Sequence, residues 1–85
     1  MSYAINIENR ARREIAKLRP PILPRVVEAI DRLADQPRPS GCKKLAGSRT
    51  EWRLRVGDYR ILYEISDSTR QVNIYAVGHR REVHR

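Results

Sequence analysis

The chain has no phenylalanine, one tryptophan and one cysteine, and aromatic residues make up 6% of its 85 positions. So short a chain allows one domain, residues 1–85, with a small core near the lower end of what folds without disulfides or metal. The single cysteine, Cys42, excludes an internal disulfide and a cysteine-based zinc site. Flanked by Pro39, Ser40 and Gly41, it reads as a spectator thiol in a loop. The opening MSYAINIENRARR lacks the apolar centre of a secretion signal, and no run approaches membrane-spanning length. A cytoplasmic location without membrane association is therefore expected. Acidic residues are scarce as well: ten face eighteen lysines and arginines, for a net charge of +8. That excess points to nucleic acid or an acidic protein as partner. Fifteen of the eighteen cations are arginine, and a guanidinium grips phosphate or carboxylate with two parallel hydrogen bonds. Charge alone does not choose between RNA, DNA and an acidic protein.

What is present begins with scaffold. Tyr3, Ile5 and Ile7 alternate as a short strand. Ala11, Ile15 and Leu18 recur at helical spacing, with Arg10, Arg12, Arg13 and Lys17 elsewhere around the wheel. Pro20 and Pro21 end that helix, because a proline forces the residue before it out of the helical region. A second helix is predicted from about Pro21 to Ala34, burying Ile22, Val26, Ala29, Ile30 and Leu33. Pro24 is tolerated in its first turn. Residues 35–41, with Pro37, Pro39 and Gly41, form the one long loop.

The most informative segment is Glu51–Arg85. Gly57-Asp58 separates the alternating runs Trp52–Val56 and Tyr59–Ile65, a short-hairpin signal. A two-residue loop pairs Val56 with Tyr59, Arg55 with Arg60, Leu54 with Ile61 and Arg53 with Leu62. Trp52, Leu54, Val56, Tyr59, Ile61, Tyr63 and Ile65 then share one face, while Arg53, Arg55, Arg60, Leu62 and Glu64 share the other. Trp52 is read as a core anchor. A third strand, Val72–Val77, delivers Gly78, His79, Arg80, Arg81 and the tail to the sheet's edge. Lys43 and Lys44 enter from the loop before the hairpin. The fold class is α+β: a helical hairpin on one face of a small, mostly antiparallel four-stranded sheet, order β-α-α-β-β-β. The opposite face stays open and basic, and a short C-terminal helical turn is allowed for.

Like charges placed directly opposite each other destabilise a sheet. Arg55 across from Arg60 therefore works against folding unless an anion is expected there. The bland account is a solvated face, with Glu64 relieving part of the repulsion. Cations from three segments converging on one surface favour an anion site instead.

Three stretches, the KKL-plus-glycine of Lys43–Gly47, the run WRLRVGDYRILYEI and the run VGHRREV, occur in this order and at this spacing. In them the chain resembles the RelE-type toxins of bacterial type II toxin–antitoxin pairs, within the RelE/ParE superfamily. The resemblance implies a ribosome-dependent endoribonuclease that cuts messenger RNA in the ribosomal A site without metal or cofactor. It also implies a cognate RelB-type antitoxin, with the ribosome and messenger RNA as further partners. The family's functional positions fall on Arg53, Arg60 and Arg80. The family's near-terminal tyrosine, in E-V-Y, falls on His84 in E-V-H, and its first-strand lysine is replaced by arginine here. Arginine stays protonated, so the three arginines suit phosphate binding and charge stabilisation. The histidine titrates near neutrality and suits proton transfer as acid or base, or stacking on a base in the tyrosine's place. Lys43, Lys44, Arg55 and Arg81 are supporting RNA or phosphate contacts. Glu51 and Glu82 are weighed as acid or base groups, though salt-bridge roles are simpler, and His79 is the weaker histidine because it points away from Arg80. Two alternatives stand beside this: a ParE-like inhibitor of DNA gyrase on the same fold, and a non-catalytic RNA-binding module.

Overall fold

Alternating apolar residues and a two-residue turn are enough to build a hairpin, and the rest of the chain is arranged around one. The structure, a computed structural model, describes residues 2–79. In chain order the elements are β1 (Ala4–Ile7), α1 (Asn9–Ala16), α2 (Ile22–Arg32), β2 (Cys42–Lys44), β3 (Glu51–Val56), β4 (Tyr59–Ser66) and β5 (Gln71–His79). The sheet runs β1-β5-β4-β3-β2; β1 lies parallel to β5 and every other pair is antiparallel. Four strands were expected and five are found. The extra one is β2, in which Cys42, Lys43 and Lys44 pair with Leu54, Arg53 and Trp52. The segment read as a loop carrying Cys42 and the two lysines is thus an edge strand.

The hairpin has the register that its loop dictates: Val56 faces Tyr59, Arg55 faces Arg60, Leu54 faces Ile61 and Arg53 faces Leu62. Gly57 takes φ +58°, the left-handed conformation required when glycine is first in such a loop. The start of α2 comes up to this turn, placing Ile22 Cδ1 and an Arg25 nitrogen 3.4 Å from where a Cβ on Gly57 would stand.

Both helices lie on one face of the sheet. Helix α1 packs against β5 and α2 against β3. Ala11, Val26, Ile30 and Leu33 of the helical segments interlock with Leu54, Val56, Ile61, Tyr63, Ile65, Val72, Ile74 and Val77 of the sheet. Tyr63 is fully buried, and its hydroxyl donates to the Pro37 carbonyl at 2.9 Å. Trp52, the expected anchor, is half-buried at the margin of this core, with the Arg38 guanidinium 5.2 Å above its ring. Tyr63 does the anchoring in its place. Two side chains satisfy strand groups that have no strand partner: Arg12 Nε donates to the Ile7 carbonyl at 2.9 Å, and the Val77 N–H donates to Glu14 Oε1 at 2.8 Å.

The loop after α2 is clasped to the β4–β5 turn. Arg38 holds Asp67 through two hydrogen bonds of 2.7 and 3.3 Å, and the Tyr3 hydroxyl donates to the same carboxylate at 2.6 Å. The Arg38 and Tyr3 hydrogen bonds hold the Asp67 carboxyl below its ordinary value. A carboxyl depressed in the folded state stabilises above its unfolded pKa and loses that contribution as pH falls through the folded value. Asp67→Asn is therefore expected to lower the melting temperature slightly at neutral pH and not at all near pH 2. The effect is small because the pair is exposed. Equal gaps at both pH values in a thermal scan would show that the carboxylate charge is not what clasps the loop.

Candidate functional site

The face turned away from the helices is organised in rows across the strands. One row runs Lys43, Arg53, Leu62, Ala76 and a second runs Arg55, Arg60, Gly78. Beside the first row lies a third, Glu51, Glu64, Asn73, Asn6. Alternation along β3 and β4 fixes the side on which Arg53, Arg55 and Arg60 emerge. The structure therefore brings together Lys43, Arg53, Arg55 and Arg60, from three strands. It separates Lys44, whose register opposite Trp52 turns it to the helix side. Arg80, Arg81 and His84 lie outside the described residues, as does the C-terminal helical turn.

Among the described residues, no carboxylate pairs with any of these four cations; the ion pairs are Arg10–Glu14, Arg32–Glu28 and Arg38–Asp67, all elsewhere. Glu64 stands opposite Glu51, in the row next to Arg53 and two rows from Arg55 and Arg60, so it is not placed to offset the Arg55–Arg60 juxtaposition. Arg60 is half-buried, and its Nε is a buried donor with no acceptor among the described residues. A buried charged donor left unmade costs on the order of 1–3 kcal/mol. An anion arriving at Arg60 removes that penalty, and the residue opposite it in the neighbouring strand, Gly78, has no side chain. The arrangement can bind a phosphate and stabilise charge developing on it, because a guanidinium is a permanent donor of fixed geometry.

The face is not uniformly open, as had been expected. Leu62 and Ala76 on it are buried, and Tyr75 packs against them. A β-bulge produces this: Leu62 pairs with Ala76 and Tyr63 with Ile74, so Tyr75 is an extra residue in β5. An inserted residue interrupts the alternation, bringing Tyr75 and Ala76 to the same side. The Tyr75 hydroxyl donates to Glu51 Oε1 at 2.6 Å. Tyr75 was not singled out from the sequence, because strict alternation gives no sign of a bulge. Glu51, weighed there as an acid, a base or a salt-bridge partner, is the acceptor of this bond.

His79 faces Tyr59 on the helix side, the two rings meeting edge to face at 5.4 Å. With Glu14, Lys17, Leu18, Val77 and Gly78 they line a cleft of about 210 Å³. This histidine is on the opposite side of the sheet from Arg60. Among the described residues, no three His, Cys, Asp or Glu side chains gather in a metal-holding group, and no helix is long and apolar enough to cross a membrane.

The comparisons with known proteins agree with this architecture. The family model described as the ParE toxin of the type II toxin–antitoxin system parDE matches residues 5–84. Toxin RelG of Mycobacterium tuberculosis is 38% identical over 89 residues, covering 100% of this chain and 99% of that protein. In the toxin–antitoxin complex RelBE2 of Mycobacterium tuberculosis, one chain is 34% identical with a TM-score of 0.81, covering 93% of this chain and 99% of its own. A chain of the archaeal RelE–RelB complex of Pyrococcus horikoshii is 25% identical with a TM-score of 0.84, covering 98% and 100%.

Proposed function

Since the chain belongs to the RelE/ParE family of type II toxins, as a RelE-type member, we propose that it arrests translation by cutting messenger RNA in the ribosomal A site. The observation that carries this reading is the cluster of Lys43, Arg53, Arg55 and Arg60, which no carboxylate among the described residues pairs with and in which the buried Arg60 Nε has no acceptor among them. The ribose 2′-oxygen attacks the adjacent phosphorus, the bond from phosphorus to the 5′-oxygen breaks, and a 2′,3′-cyclic phosphate remains. The 2′-hydroxyl proton passes to a base, and the leaving 5′-oxygen receives one from an acid. Arg53, Arg60 and Arg80 bind the phosphate and stabilise its extra negative charge, with Lys43, Arg55 and Arg81 holding the strand. His84 is the acid or base of this scheme, since an imidazole can both give and accept a proton. A site built mainly of arginines gains most of its rate from how the substrate is held. The ribosome, which fixes the message in one geometry, supplies that positioning. No metal or other cofactor enters this scheme, and its place of action is the cytoplasm. A RelB-type antitoxin restrains the toxin, and a net charge of +8 suits an acidic one.

A second reading, inhibition of DNA gyrase, draws support from the ParE description of the matching family model. Mapping of RNA 5′ ends in cells after brief induction separates the two. Cuts within codons are expected, confined to translated messages and absent from a copy whose start codon is removed. Intact messages together with a DNA damage response would sink the RNA-cutting reading in favour of gyrase.

A further inference from the structure

The extra residue in β5 does more than kink the strand. Neighbouring strands are about 4.8 Å apart, so β5 and β3 are separated by roughly 10 Å with β4 between them. A Tyr75 hydroxyl that reaches Glu51 on β3 must carry its ring across β4, lying along the sheet and not standing up from it. The ring rests on Leu62 and Ala76, in the row that also holds Lys43 and Arg53. Tyr75 is half-buried, on the side of the sheet that carries Lys43 and Arg53. The hydroxyl is held at one end by Glu51 and the backbone at the other by the bulge.

A flat aromatic ring fixed beside phosphate-binding arginines is a surface on which a nucleobase stacks, because every base has a π-face. We propose that Tyr75 is a stacking platform for the base attached to the phosphate that Arg53 and Arg60 hold, and that it favours purines over pyrimidines. The larger ring system of a purine overlaps the phenol more fully. The proposal rests on the reading of this face as the RNA site and adds to it a base-binding residue. Glu51 acts through Tyr75, fixing the ring's direction, and is a positioning residue.

The test uses the purified full chain and a single-stranded 2′-O-methyl RNA, which cannot be cut, carrying one 2-aminopurine. Fluorescence anisotropy reads binding, and quenching of 2-aminopurine emission reads stacking. Wild type and Tyr75→Phe are expected to quench. Tyr75→Leu, which keeps Leu62 and Ala76 covered, is expected to bind about tenfold more weakly, without quenching and with reduced preference for purines. A thermal scan shows whether Tyr75→Leu keeps its fold. If it does not, loss of quenching in a folded Tyr75→His variant with a full-strength purine preference would overturn the proposal. Quenching undiminished in folded Tyr75→Leu, with binding still dependent on Arg60, overturns the stacking role and leaves the RNA face intact. Wild-type protein that does not bind the RNA at all, or binds it equally after Arg60→Ala, overturns the RNA face and the platform with it.

Discussion

Arg60→Ala is expected to lose translation arrest about 10²–10³-fold while keeping or slightly raising its melting temperature. The activity loss follows from removing one preorganised charge stabiliser at a reacting phosphate, which costs about that factor. The stability side follows from what Arg60 endures in the folded chain. It stands directly opposite Arg55, and its buried Nε has no acceptor among the described residues. Relieving a like-charge cross-strand pair returns roughly 0.2–1 kcal/mol, and removing the unmade donor returns about 1–3 kcal/mol. The lost packing of the arginine's aliphatic stem offsets part of this. Growth arrest on induction, read beside a thermal scan of the purified variant, checks both halves. A variant that loses activity and several degrees together would mean that Arg60 holds the fold and not the substrate.

The largest stability effect is expected at Tyr63. Tyr63→Ala empties the space of the largest fully buried side chain, and truncations of aromatic core residues cost about 3–5 kcal/mol. Domains of this kind are stable by roughly 5–15 kcal/mol, so the variant should be largely unfolded in mild denaturant. Tyr63→Phe keeps the ring but leaves the Pro37 carbonyl without its donor, for about 1–3 kcal/mol. Denaturant titration gives both values; a Tyr63→Phe loss as large as that of Tyr63→Ala would contradict the split. Burial, followed by the neighbouring Cys42, also pushes the Tyr63 phenol well above its ordinary value. The unfolded chain then loses this proton near pH 10 while the folded chain keeps it, so stability declines as pH rises past about 10. In Tyr63→Phe that part of the alkaline decline should disappear.

The hairpin was readable from its residues because Gly57-Asp58 sets the pairing and alternation then assigns every side chain to a face. The two helices were readable from Val26, Ile30 and Leu33 on one and Ala11, Ile15 and Leu18 on the other, although both end a little earlier than expected. Strand β2 was not readable. Cys42, Lys43 and Lys44 are too few and too polar to announce a strand, and their partners lie beyond an intervening turn. The same miss hid the different fates of the two lysines, since only a strand places Lys43 and Lys44 on opposite faces. The bulge at Tyr75 was hidden for a related reason. A period of two assigns Ala76 to the face of Ile74, and only the pairing with Leu62 reveals the extra residue.

Lys44 is left without a place among the phosphate-binding cations, yet its position at the rim of the sheet has a consequence for life at high concentration. A small sheet whose outer strands offer bare backbone groups invites a second copy to add on and grow into a fibre. Here one outer strand is three residues long and two of them are lysines. On the other side, Arg12 occupies the Ile7 carbonyl, and Glu14 occupies the Val77 N–H where β5 extends past its short neighbour. Protected in these ways at both rims, the molecule can leave one broad surface exposed for a partner without inviting its own aggregation.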